Sequence, residues 1–162
     1  MSVDKNQAII DFLITCPELA TNPLFFNYVN AEGDNTQIIT QSNDKSMNKP
    51  FIDGSVLKRY TFTLIYFKSI SYAPIVKQQG FANENVEDML DVQAVVDWVG
   101  EQADTFNYPN FGDKCHIEEM KVLTENPNLN SVDTTSTPPL AKYSFTIQID
   151  YIDTNKMLWQ NN

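Results

Sequence analysis

Two stretches of the chain alternate apolar and polar residues with period two, and two others repeat their apolar residues at helical spacing. Ala141, Tyr143, Phe145, Ile147, Ile149 and Tyr151 alternate with Lys142, Ser144, Thr146, Gln148 and Asp150. That pattern predicts a half-buried strand with one wet face. Val56 to Ile70 predicts a second strand. Tyr60, Phe62, Leu64 and Tyr66 share one face there, and Lys68 and Ile70 continue the row. The face carrying Thr61, Thr63, Ile65 and Phe67 turns from polar to apolar, so the second half is expected to be covered on both sides. Fifteen residues span about 50 Å at about 3.3 Å per residue. That length leads one to expect a bulge, a bend or a protrusion.

The helical pattern comes first at Ala8, Ile9, Phe12, Leu13 and Cys16. Asp4 and Gln7 form a capping-box pair before it, and Pro17 ends or kinks it. A longer helix is predicted from Glu84 to Thr105, opened by Asn83. Val86, Met89, Leu90, Val96, Val99 and Ala103 form its apolar side, with Trp98 beside the stripe. Leu24–Val29 and Thr36–Thr40 read as strands, expected to pair as a hairpin across Glu32–Asn35. Cys115–Thr124 reads as another strand, with Cys115, Ile117 and Leu123 on one side and Met120 and Val122 on the other. Residues 41–54, 71–80 and 125–139 are polar or rich in Pro and read as loops. The order α-β-β-β-α-β-β predicts an α+β fold, a mostly antiparallel sheet flanked by two main helices. Residues 1–155 are expected to form a single domain, and 156–162 a tail whose Met157, Leu158 and Trp159 dock on a neighbouring subunit.

Composition narrows the functions. The chain has 162 residues, 42% of them hydrophobic, enough for one ordinary domain with a sizeable core. Twenty-one acidic residues against 11 basic ones give a net charge of −10. A chain this acidic is a poor grip for nucleic acid or an anionic membrane, because phosphate binding needs clustered cations. No run of 18 apolar residues predicts a membrane-spanning helix, and no signal peptide is visible at the start. Cys16 and Cys115 are the two cysteines, expected to be reduced in a cytosolic setting. With one histidine, His116, a His/Cys zinc site is nearly excluded. No phosphate-loop, dinucleotide-turn, serine-elbow or HExxH motif occurs, and only five glycines are present. Cys115 and His116 are strand neighbours and point to opposite faces, as do Glu118 and Glu119. Neither pair reads as catalytic machinery. The acidic positions Asp88, Asp91, Asp97, Glu101 and Asp104 read as a solvated helix face, since calcium loops need tighter clustering of oxygen.

The run Tyr60-Thr61-Phe62-Thr63-Leu64-Ile65-Tyr66-Phe67-Lys68-Ser69-Ile70-Ser71-Tyr72 leads into Glu84-Asn85-Val86-Glu87-Asp88-Met89. Val95–Val99, Tyr108–Gly112, Ile117–Thr124 and Leu140–Tyr143 follow, and Phe25–Tyr28 and Asp53–Ser55 fit the same pattern. Together these resemble the small tail terminator, or minor capsid, proteins of tailed phages and prophages of Gram-positive bacteria. The resemblance covers most of the chain and rests on a diffuse pattern without a single chemical motif. It implies an α+β fold and a non-enzymatic virion protein, made in the bacterial host's cytoplasm. Its members form hexameric rings that cap the tail tube and face the head–tail connector or neck proteins. In contractile phages the ring also meets the tail sheath.

No catalytic residue, cofactor, metal or membrane contact follows from the resemblance. The long strand and the loop 41–54 are expected to reach lateral or axial neighbours. Tyr60, Lys68, Tyr72, Met157, Leu158 and Trp159 are the interface candidates. Asp91, Asp97, Glu101 and Asp104 are the candidates for an acidic lumen, past which genome DNA slides without specific binding. A neck or head-completion connector of similar size and element order stays open as an alternative. So does a small acyltransferase, which needs a histidine base near its acyl acceptor; His116 has no recognisable partner in the sequence.

Overall fold

The chain enters its first helix, α1 (Lys5–Leu13), through Asp4, whose carboxylate accepts a hydrogen bond from the Asn6 N–H at 2.9 Å. The computed structural model describes residues 3–21, 23–27, 34–41, 48–69, 84–123, 128–133 and 139–155. Gln7 does not complete the capping box; its amide donates to Asp11 one turn on, at 2.8 Å. Ala8, Ile9, Phe12 and Leu13 make the buried side of α1. Pro17 opens a short 3-10 helix, Pro17–Thr21, after α1 has ended. The second helix, α2 (Glu84–Asp104), buries Val92, Val95, Val96 and Val99. Trp98 sits at its flank, 5.0 Å from the Phe12 ring, and ties the two helices together.

Seven strands are found among the described residues: β1 (Leu24–Phe26), β2 (Asn35–Thr40), β3 (Lys49–Pro50), β4 (Val56–Ser69), β5 (Cys115–Val122), β6 (Asn128–Asp133) and β7 (Leu140–Asp153). They form one sheet in the order β1-β2-β4-β7-β5, with β3 also on β4 and β6 also on β7. The fold is α+β and the sheet mostly antiparallel. Its spine is the β4–β7 pair, in register over fourteen residues from Val56↔Asp153 to Ser69↔Leu140. Phe62, Leu64 and Tyr66 meet Ile147, Phe145 and Tyr143 across it. These residues, with Ile38, Ile149 and the apolar sides of α1 and α2, form one buried cluster.

Several expectations are corrected here. β1 and β2 pair in parallel, Leu24 with Thr36, and not as a hairpin. Asn27 follows β1 with φ 48, and its amide is held by Thr40; Tyr28 and Val29 lie outside the described residues. β4 has no bulge, because β7 matches it residue for residue. The irregularities lie in β5, between Ile117 and Glu119, and in β6, between Leu129 and Ser131. The β5 bulge inserts one residue, which restores Ile117 and Met120 to the same buried face opposite Tyr151 and Ile149. Residues 128–133, within a stretch read as loop, form a strand because β7 runs past the end of β5 and offers open pairing groups there. Leu90, placed on the apolar side of α2, is 62% exposed. At 3.6 residues per turn it lies opposite the Val92–Val99 stripe.

Around the middle of β4 and β7 the second face of the sheet is polar and paired. Arg59 grips Asp150 through Nε at 2.8 Å and Nη2 at 3.2 Å. Thr63 and Thr146 share a hydrogen bond at 3.0 Å, and Gln41 donates to Thr63 at 2.7 Å. On the core face the fully buried hydroxyl of Thr36, opposite Tyr66, finds no hydrogen-bond partner among the described residues. Burying such a group costs about 1–3 kcal/mol by protein mutational data. Thr36→Val keeps the shape and removes the hydroxyl, so it should stabilise the protein by about 1 kcal/mol in urea unfolding. A loss of stability of that size would contradict the assignment.

Candidate functional site

The residues with chemical potential are dispersed. His116 is exposed on β5 and faces Ile152 of β7 across the ladder. Its Nε2 lies 3.6 Å from Glu118 Oε1 on the solvent side of the strand. Cys115 is half-buried, and burial raises its thiol pKa. Cys16 is fully buried; burial and its hydrogen bond to Glu18 push the thiol up to about 11. Neither thiol is a ready nucleophile at neutral pH. Among the described residues, no group of three His, Cys, Asp or Glu side chains comes together as a metal site.

Two interface candidates are described. Tyr60 is built into the fold: its hydroxyl donates to Asn6 Oδ1 at 2.6 Å, and its ring packs 5.8 Å from Phe111. Burial and then Asp4 push its phenol up to about 12, so it stays a neutral donor that fastens α1 to the sheet. Lys68, near the far end of β4, lies over the Tyr66 ring at 5.2 Å from the centroid. Tyr72, Met157, Leu158 and Trp159 lie outside the described residues.

The acidic candidates on α2 are all exposed. Helical geometry sets Asp97, Glu101 and Asp104 on one outward stripe with Leu90, while Asp91 falls on the flank with Trp98. Gln93 donates to Asp97 at 2.9 Å along that stripe.

Two features escaped the sequence reading. One is the β3–β4 turn. Phe51 N–H bonds to Ser55 O at 2.8 Å and Gly54 N–H to Phe51 O at 3.1 Å. Gly54 takes φ 89, and Asp53 Oδ1 accepts from Ser55 N–H and Oγ. This fixed turn holds Ile52 wholly exposed and Phe51 half-exposed at its tip. Asp53-Gly54 was the available signal, but it sat inside a stretch read as loop. The other is the end of α2. Phe106 N–H bonds to Ala103 O and Asn107 N–H to Gln102 O, a Schellman cap with Phe106 in the left-handed position at φ 57. Glycine is usual there, and a side chain costs about 1–2 kcal/mol. Without a glycine the sequence carries no signal for this cap.

At the other end of the spine, Lys58 Nζ meets Asp153 Oδ2 at 2.7 Å. Burial alone would raise the Asp153 carboxyl, but the Lys58 ammonium and the Asn155 amides outweigh it and hold it below its ordinary value. A depressed carboxyl stabilises the fold fully above its unfolded pKa of about 3.9, and the gain is lost as pH falls through the native value. Asp153→Asn should therefore flatten the acid limb of stability against pH below about pH 4. An unchanged acid limb would remove Asp153 from the account.

No protein-family model matches the chain, and no curated protein matches it. Among the described residues, no helix is long and apolar enough to cross a membrane.

Proposed function

We propose that the protein is a virion structural component of a tailed phage, a tail terminator acting as a hexameric ring. In this reading the ring caps the tail tube and presents a surface to the head–tail connector, and to the sheath where the tail contracts. One observation carries the reading: the chain's resemblance to tail terminators comes with the α+β fold that the resemblance implies, built on the β4–β7 pair. The exposed His116 and the two protonated thiols offer no counter-argument from chemistry.

A ring closes through head-to-tail contacts when the rotation between neighbours permits. The fixed Phe51–Ile52 tip suits such a contact, because it presents apolar surface without needing to be ordered on binding. The acidic stripe on α2 suits a lumen wall. Carboxylates there repel DNA phosphates within about 10 Å at ordinary ionic strength and leave the genome free to slide.

Purified protein should show the mass of a hexamer by native mass spectrometry, and Ile52→Asp should shift it to smaller species. A monomer at every concentration would count against the ring. Replacing Asp97, Glu101 and Asp104 by Asn or Gln should leave the assembly intact and slow DNA ejection from virions. Unchanged ejection and infectivity would move this stripe away from the lumen.

A further inference from the structure

Asp53-Gly54 is the only place in the chain where a glycine follows an Asp or an Asn. A glycine leaves the amide nitrogen after the aspartate without a side chain to shield it. In such a pair the Gly54 nitrogen can attack Asp53 Cγ. The new N–C bond closes a five-membered imide, and the amide proton leaves with the carboxylic hydroxyl as water. Water then reopens the ring. Reopening at the Asp53 main-chain carbonyl routes the backbone through the side chain, one methylene longer, as isoaspartate. One water is lost and one regained, so no oxidant or other co-reactant is needed.

The turn between β3 and β4 holds both reacting groups away from this reaction. Asp53 Oδ1 accepts from Ser55 N–H at 2.9 Å and from Ser55 Oγ at 2.6 Å. The Gly54 N–H is itself engaged, donating to Phe51 O at 3.1 Å. To bring Cγ onto the Gly54 nitrogen, the carboxyl has to leave both Ser55 donors and the nitrogen has to leave Phe51. Ser55 is buried, so the hydroxyl is fixed in place beside the carboxyl. The same two donors favour the ionised carboxylate and hold Asp53 below its ordinary range. A carboxylate has no hydroxyl to lose, so ionisation opposes ring closure as well.

We propose that Asp53-Gly54 is a latent isoaspartate site and that the Ser55 hydroxyl guards it. What it guards is the fixed tip, since an inserted methylene at Asp53 breaks the turn that Phe51 and Ser55 close and lets the exposed Ile52 move. This assignment does not depend on the ring reading.

Ageing the full-length protein supplies the test. Wild type and Ser55→Ala are incubated at mildly acidic pH, folded and in urea. Isoaspartate at position 53 is then counted by enzymatic methylation and peptide mapping. Folded wild type should react far more slowly than unfolded wild type. Folded Ser55→Ala should react about tenfold faster than folded wild type, the least that a hydrogen bond to a charged group is worth. In urea the two should match. Ser55→Thr keeps the hydroxyl and should restore the slow rate; if it does not, the effect belongs to packing and the hydroxyl loses its role. Equal folded rates for wild type and Ser55→Ala overturn the proposal, as does folded wild type reacting as fast as in urea. A folded Ser55→Ala rate equal to the urea rate shows that the whole turn has opened, and it overturns the role given to the hydroxyl.

Discussion

Phe62→Ala should lower the stability of the protein by about 3–5 kcal/mol. Phe62 is fully buried at the middle of β4 and faces Ile147 on β7 and Thr40 on β2. Its ring is held between the sheet and the helical layer, so truncation loses transfer free energy and leaves a cavity that the paired strands cannot close. Domains of this kind are stable by about 5–15 kcal/mol in total, so this one change removes a large share. Urea unfolding should show the midpoint fall with little change in slope. A loss below about 1 kcal/mol would mean that the β4–β7 spine is not the centre of the core.

Leu13→Ala should cost about 2–5 kcal/mol, and its signature should differ. Leu13 is fully buried at the last turn of α1. A nine-residue helix is too short to persist alone in water, so α1 exists because its apolar side is docked. Its other ties include the buried Ala8 and Ile9, the Tyr60–Asn6 hydrogen bond, the Phe12–Trp98 contact and Lys5 over the Tyr151 ring. Hydrogen exchange should therefore rise first and most in α1, while β4 and β7 keep their protection. Equal loss of protection in α1 and the spine would show that the helix and the sheet open as one unit.

The long-range skeleton was legible where one residue pattern decided the outcome. The alternation in 141–151 names the buried face of β7, and Tyr143 to Tyr151 are buried as that period requires. Phe62, Leu64 and Tyr66 of β4 and Val96 and Val99 of α2 follow the same logic, whereas the buried Val92 and Val95 stood outside the expected stripe. The misses are places where partners decide. Nothing local distinguishes a parallel from an antiparallel mate for Leu24–Phe26. The β5 bulge reverses the alternation after Ile117, so a period-two reading separates Ile117 from Met120 although both are buried. β6 has a weak strand composition and is held by the long reach of β7.

For the candidate site, the acidic stripe was legible in part, since helical spacing gathers Asp97, Glu101 and Asp104 and leaves Asp91 aside. Tyr60 was read as an interface candidate; the partner that holds its hydroxyl within the chain, Asn6, lies 54 residues away. The Phe51–Ile52 tip lies in the loop 41–54 that was expected to reach neighbours, but that polar stretch gave no sign that an apolar tip is held fixed there. Phe106 was hidden because its left-handed cap lacks the glycine that announces one.

The net charge of −10 acquires a place in this account. Acidic composition disfavours a generic grip on nucleic acid. In the proposed ring, the exposed stripe on α2 would be a surface along which DNA passes without being held. The central claim concerns the ring's task at the tube end, and negative-stain microscopy of tails assembled without this protein tests it most directly. A tail terminator predicts tubes that run past their normal length and carry no heads; tubes of normal length without heads would contradict the account and assign the protein to the connector.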